Sequence, residues 1–235
     1  MKKLKLTKVI AATLVMASVL VLNPIGVNAE WKQNDKGWWY TEGDSWAVGW
    51  RVIDGCLYNF DQRGYMFDTP NMFSSSYGLN SDGQFTNVSI DGDWAFQRTT
   101  GVIVAYVGSN SDVVIPNTID GVTITGIGVK AFQNCNSLKS ITIPSNITKI
   151  GMDAFCFCNN LTSATILDGV SDLGDDPIFI NCSNLTSISI PNSLTSISTG
   201  TVFNCINAKY YVNNEEMKQN LVNSGIEEDK IIVNA

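Results

Sequence analysis

Residues 132–144 read FQNCNSLKSITIP, residues 155–167 read FCFCNNLTSATIL, and residues 179–191 read FINCSNLTSISIP. In register, Phe132, Phe155, Phe179 and Phe203 are 23, 24 and 24 residues apart, and Cys135, Cys158, Cys182 and Cys205 are 23, 24 and 23 apart. Leu138, Leu161 and Leu185 keep the step, followed by the pairs Ile141/Ile143, Ala164/Ile166 and Ile188/Ile190. Two more apolar columns are Ile147, Val170, Leu194 and Ile150, Leu173, Ile197. A fixed period of this length marks stacked units, none of which can bury its apolar side alone. The pattern predicts an all-β solenoid of about four coils over 113–212.

Within one coil, Leu138, Ile141 and Ile143 are expected to point inward and Ser140 and Thr142 outward. Pro144 ends the strand because it cannot donate to the ladder. Ile147 and Ile150 then make a second short strand, Gly151 allows a tight bend, and Phe155 plugs the next layer. The outward positions Lys139, Ser140, Thr142, Ser163, Thr165, Ser187 and Ser189 are the candidate partner-binding face, with a merely solvated sheet face as the alternative. The Cys column reads as small structural thiols beneath each turn. Coils stacked about 4.8 Å apart also leave disulfides geometrically allowed. Cys56 and Cys156 stand outside the column without a C-x-x-C partner, so no metal or cofactor is expected.

The third coil is irregular: Leu167 stands in place of the proline, and Asp168-Gly169 and Gly174-Asp175-Asp176-Pro177 change its turns. Its acids match no calcium-loop spacing. The tail is expected to be strand–helix–strand, a cap over 213–235. Tyr210-Tyr211-Val212 is the first strand, Asn213-Asn214-Glu215-Glu216 caps a helix to about Asn223, Gly225 stops it, and 230–233 returns as a strand. Upstream, 86–112 breaks the period with short β-rich runs and is expected to cap the solenoid's first edge.

Residues 30–85 carry a different period. Trp31, Trp50 and Thr69 are 19 apart in each step, as are Trp38, Leu57, Ser76 and Trp39, Tyr58, Tyr77. The turn at 60–64 lies 19 residues before that at 79–83. Each unit reads as an aromatic strand, a Gly/Asp turn and a return strand, a β-hairpin that must stack on its neighbour. Residues 1–29 read as a secretory signal: Lys2, Lys3, Lys5 and Lys8, an apolar core over 9–22, and Val27-Asn28-Ala29 as cleavage site. Its removal takes away four lysines and no acid, so the formal charge of −7 becomes −11. Such a chain is a poor prospect for nucleic acid or an anionic membrane surface.

Two stretches resemble known families. Lys36-Gly37-Trp38-Trp39-Tyr40, Gly49-Trp50-Arg51-Val52-Ile53-Asp54-Gly55, Tyr58-Asn59-Phe60-Asp61 and Gly64-Tyr65-Met66 resemble the choline-binding (cell-wall-binding) repeats of Gram-positive surface proteins. The resemblance implies an aromatic cage for the quaternary ammonium of choline-substituted teichoic acid or another cell-wall polymer, held by cation–π attraction. By position the cage would be Trp38, Trp50 and Tyr58, with Met66 lining it. Leu57-Tyr58-Asn59, Thr69 and Ser76 depart from that pattern, and the same rings could instead form the core of a β-ribbon. From Val113-Val114-Ile115-Pro116 through Ala131-Phe132 and the repeats after it, 113–212 resembles BspA-type leucine-rich repeats. That resemblance implies a bacterial surface or secreted protein, with adhesion to host matrix or to another surface protein.

The chain has no histidine, which removes the usual general base and the Ser-His and Cys-His nucleophile pairs. No phosphate loop or dinucleotide fingerprint is present. The expectation is an exported non-catalytic protein, at the cell surface or wall, without membrane contact after signal removal. A freely secreted assembly protein with vestigial hairpins and a cell-wall hydrolase are the alternatives.

Overall fold

The computed structural model describes residues 29–68, 77–171, 173, 176–194 and 197–234. The secretory segment therefore lies outside the described residues except for its last position, as do Thr69, Ser76, Gly174 and Asp175. The chain divides into two compact units, one ending at Asn87 and the other beginning at Val88.

In the first unit, β1 (Trp31–Asn34), β2 (Gly37–Glu42) and β3 (Ser45–Trp46) form an antiparallel sheet in that order, and β4 (Gly49–Ile53) pairs with β5 (Cys56–Phe60). Asp54 and Gly55 join β4 to β5 with φ of 50° and 76°, the two positive values that a tight two-residue hairpin turn requires. The 19-residue period reappears in the hydrogen bonds. Met66 N–H donates to Trp38 O (2.7 Å), and 19 residues on Phe85 N–H donates to Leu57 O (2.9 Å). Asp61 Oδ1 accepts from the amides of Arg63 and Tyr65, and Asn80 Oδ1 accepts likewise from Asp82 and Gln84.

The second unit opens with an antiparallel meander, β6 (Ser89–Asp91), β7 (Trp94–Gln97) and β8 (Val102–Tyr106). Then come β9 (Asp112–Val114), the small hairpin β10 (Thr118–Ile119) and β11 (Val122–Thr123), β12 (Gly126–Ile127), β13 (Ser140–Ile143), β14 (Lys149–Ile150) and β15 (Ser163–Ile166). After these follow β16 (Phe179–Ile180), β17 (Ser187–Ser189), β18 (Val202–Phe203), β19 (Lys209–Val212), α1 (Glu215–Asn223) and β20 (Ile231–Val233). The main sheet is parallel throughout, in the order β20-β19-β17-β15-β13-β9. A second sheet runs β14-β12-β8-β7-β6, so the meander covers the first coil on that side.

Between these walls the expected leucine and aliphatic columns are buried. Leu138, Leu161, Leu185, Ile147, Val170 and Leu194 are at most 1% exposed. The rings of Phe132, Phe155 and Phe179 stack with centroids 4.9 and 5.0 Å apart. The stack extends backwards into the meander: Tyr106 stacks on Phe132 at 5.4 Å and Trp94 leans on Tyr106 at 4.9 Å. Backbone bonds tie turn to turn, as in Phe132 N–H to Ala154 O and Phe155 N–H to Ile178 O. A Cβ at Gly151 would come within 2.6 Å of Val129 N, so the close approach of coils there requires glycine. In the irregular third coil, Asp168 Oδ1 accepts from Asn192 N–H (2.7 Å) and ties that turn to the next coil.

Two expectations are corrected. The main sheet has six strands rather than the four coils expected: β9, β13, β15, β17 and β19 fall in the expected coil region, and β20 of the tail adds a sixth. Phe203 does not continue the ring column. Phe179 pairs with Val202 and Ile180 with Phe203, so Val202 occupies the expected place and the Phe203 ring is 60% exposed. The Cys182–Cys205 interval is one residue shorter than Phe179–Phe203, and the ladder follows the cysteines. The tail is strand–helix–strand as expected, with Asn214 Oδ1 accepting from Met217 N–H (2.8 Å) at the start of α1.

Candidate functional site

Strand alternation carries the outward side chains of the main sheet into two parallel rows. The cross-strand pairs put Asp112, Ser140, Ser163, Ser187 and Lys209 in one row and Val114, Thr142, Thr165, Ser189 and Tyr211 in the other. Their neighbours Ile141, Ala164 and Ile188 are 1% exposed, so each outward residue is fixed by an inward one beside it. The structure thus brings together six of the seven predicted face residues. Lys139 lies just before β13; its carbonyl accepts from Thr162 N–H (2.8 Å), and its exposed side chain borders the rows.

Among the described residues, the hydroxyls of Thr142, Ser163, Thr165, Ser187 and Ser189 make no hydrogen bond within the protein, which leaves them to solvent or a partner. Ser140 differs: its Oγ donates to Asp112 Oδ1 (2.5 Å), while Ser111 Oγ donates to Asp112 Oδ2 (2.6 Å). These two bonds hold the Asp112 carboxyl below the usual carboxylate range, with Lys139 acting in the same direction. The face is therefore acidic at its β9 end and basic at Lys209. Sequence reasoning missed Asp112, Val114, Lys209 and Tyr211. Their only signal was the β-branched and aromatic pairs Val113-Val114 and Tyr210-Tyr211, which fall off the period of the central coils.

In the first unit, Trp38, Tyr58 and Met66 belong to one apolar cluster with Phe60, Trp31 and Tyr40. Trp31 meets Tyr40 at 5.2 Å and Tyr58 at 5.0 Å, both edge-on. Trp50 is 3% exposed and turns its ring onto Phe85 at 4.8 Å. Burial pushes the Tyr58 phenol up, against a hydrogen bond from Gln84.

A comparison with protein-family models matches residues 105–222 to the BspA type leucine-rich repeat region, in six copies. The chain belongs to the BspA-type leucine-rich repeat family. The matched stretch holds five of the six main-sheet strands, β9, β13, β15, β17 and β19. Among solved structures, the BspA-type chain is similar to a leucine-rich repeat protein of T. pallidum, at 24% identity over 63% of this chain and 72% of that one, with a TM-score of 0.35. It is similar to a leucine-rich repeat protein of Bacteroides capillosus at 22% identity, covering 55% and 99%, with a TM-score of 0.41. A leucine-rich cell surface protein of Faecalibacterium prausnitzii is 20% identical, with 76% and 44% covered and a TM-score of 0.37. A comparison with curated proteins finds no match.

Proposed function

We propose that this BspA-type chain is exported, held at the cell wall through its first unit, and presents the main sheet's two outward rows to a protein on another cell or in a host matrix, without catalysis. The observation that carries the reading is the face itself: five uncommitted hydroxyls in register on strands whose inward side chains are locked in an apolar core. A rigid, small-residue surface binds with little ordering of its own side chains, which favours recognition of an extended partner. Wall attachment is supported by the resemblance of 30–85 to choline-binding repeats and by the gathering of Trp31, Trp38, Tyr40 and Tyr58. The absence of histidine from the whole sequence supports a non-catalytic role.

The test is protease treatment of intact cells and, on a separate untreated sample, extraction of walls with free choline. Loss of the chain from intact cells and its release by choline are expected. A chain protected from protease would overturn the reading. A second reading, free secretion with the first unit as a folded spacer, is favoured by the burial of Trp50 (3% exposed) and Tyr58 (8%). It expects the chain in the medium and no effect of choline.

A further inference from the structure

The main sheet ends at β9, and a pocket lies against that end. Ile115 N–H donates to Thr142 O (3.1 Å) and Ser140 N–H to Ser111 O (3.0 Å), so residues 111, 113 and 115 turn their backbone groups toward β13. By strand alternation Asp112 and Val114 turn theirs to the opposite side, where the sheet order has no further strand. The meander β6–β8 joins the second sheet, and among the described residues of this unit no strand pairs with this edge.

Beside the edge is a cavity of about 250 Å³, lined by Asp93, Trp94, Tyr106, Asp112, Val114 and Pro116 among others. Its aromatic wall is rigid, because Tyr106 is 2% exposed and stacks on Phe132 at the head of the buried ring column. Trp94 is half-buried and offers ring surface to the cavity. Asp93 Oδ2 accepts from Asn110 Nδ2 at 3.3 Å, and Asp112 accepts from two serines. Among the described residues, neither carboxylate has an ion-pair partner. Burial and the neighbouring Asp93 push the Tyr106 phenol up, so the charge of the pocket comes from the two carboxylates.

We propose that the β9 edge takes an extended segment of a partner protein as an added strand, with an arginine or lysine of that segment seated against Trp94, Asp93 and Asp112. The free backbone groups of Asp112 and Val114 would supply the ladder, as in other strand-addition complexes. The cation would meet a tryptophan ring and two carboxylates that, among the described residues, form no ion pair, Lys139 acting on Asp112 only from a distance. An acidic side chain at that place would face two like charges, so the edge selects by sign. The inference rests on the protein-binding reading above and names its partner class.

The test is an NMR titration of the full secreted chain with capped Thr-Val-Thr-Arg-Thr-Val-Thr, the same peptide with Glu in place of Arg, and arginine amide alone. The Arg peptide is expected to shift the amides of Asp112 and Val114 and the indole of Trp94, and the Glu peptide to bind about tenfold more weakly or worse. Val114→Pro removes an outward N–H while leaving the bonds to β13 in place, and is expected to abolish the shifts. Asp93→Asn combined with Asp112→Asn is expected to weaken the Arg peptide by about tenfold at an unchanged circular dichroism spectrum. Equal binding of the Arg and Glu peptides, arginine amide binding as tightly as the peptide, or no shift at those amides would each overturn the proposal. None of these results bears on surface location, which protease treatment of intact cells decides separately.

Discussion

The Sγ of Cys158 donates to the carbonyl oxygen of Phe132 across 3.0 Å, tying the thiol of one coil to the ring-bearing turn of the coil before it. Cys182 repeats the bond to Phe155 at 3.0 Å, and Cys205 makes a longer one to Phe179 at 3.6 Å. The thiols of Cys158 and Cys182 thus add a second donor to the Phe132 and Phe155 carbonyls, which also accept from Cys135 N–H and Cys158 N–H, and an alanine there would remove it.

These thiols should be inert in the folded chain. Burial pushes the Cys158 thiol up, and the bond with Cys158 is the largest cause of the rise at Cys182. A thiol reagent at neutral pH is expected to label the half-buried Cys56 and Cys135 first and to reach Cys158, Cys182 and Cys205 only on denaturation. Mass spectrometry of labelled peptides checks the order, and rapid labelling of Cys182 in the folded chain would refute it.

Cys156 gives the account an alkaline signature. Burial, with the Asp153 carboxylate adding to it, pushes this thiol up to about 12 from its ordinary 9.0. Between those values the unfolded chain loses the proton while the folded chain keeps it, so stability falls as pH rises from about 9 toward 12. Denaturant midpoints measured across that window should decline less steeply in Cys156→Ala than in the parent.

The ring column separates two phenylalanines that look alike in sequence. Phe155 is fully buried between Phe132 and Phe179, so Phe155→Ala is expected to cost about 3–5 kcal/mol. Phe203 is 60% exposed, and Phe203→Ala is expected to change stability by no more than about 0.5 kcal/mol. Urea unfolding of both variants decides the point, and similar costs would restore Phe203 to the column.

Lys130 and Asp153 stand at corresponding turns of successive coils, both at positive φ, with Nζ 3.8 Å from Oδ2. Burial raises the Asp153 carboxyl and Lys130 opposes the rise. Lys130→Met leaves a carboxylate in a largely buried site and is expected to cost about 3 kcal/mol at neutral pH. Protonating Asp153 removes the unpaired charge, so the cost should shrink as pH falls toward about 4. A cost independent of pH would mean that packing, not charge, was lost.

The parts of this molecule that sequence periodicity reveals are those in which one side chain stacks on its own equivalent. Phe132, Phe155 and Phe179 do so, as do the thiols beneath them and the alternating strand 140–143. Phe203 misled because two columns disagreed by one residue there, and the choice between them depends on the ladder. Tyr106 and Trp94 extend the ring stack from antiparallel strands, where nothing repeats, and so gave no periodic signal. The same holds for the β9 pocket, whose lining comes from the β6–β7 turn, β7, β8, the turn between β8 and β9, β9 and Pro116 after it. In the first unit the 19-residue step was legible because its turns repeat the same Asx and glycine positions and the same hydrogen bonds, whereas the direction of the Trp50 ring toward Phe85 was not.

The most direct test of the central claim is adhesion of cells displaying the chain to immobilised matrix proteins, comparing the parent with Thr142→Arg/Thr165→Arg on the sheet face and Thr118→Arg on exposed β10. At equal surface levels, the face variant should fall to background while the β10 variant adheres like the parent. Adhesion unchanged in the face variant, or no adhesion by the parent, would contradict the assignment of the two-row sheet face as the binding surface.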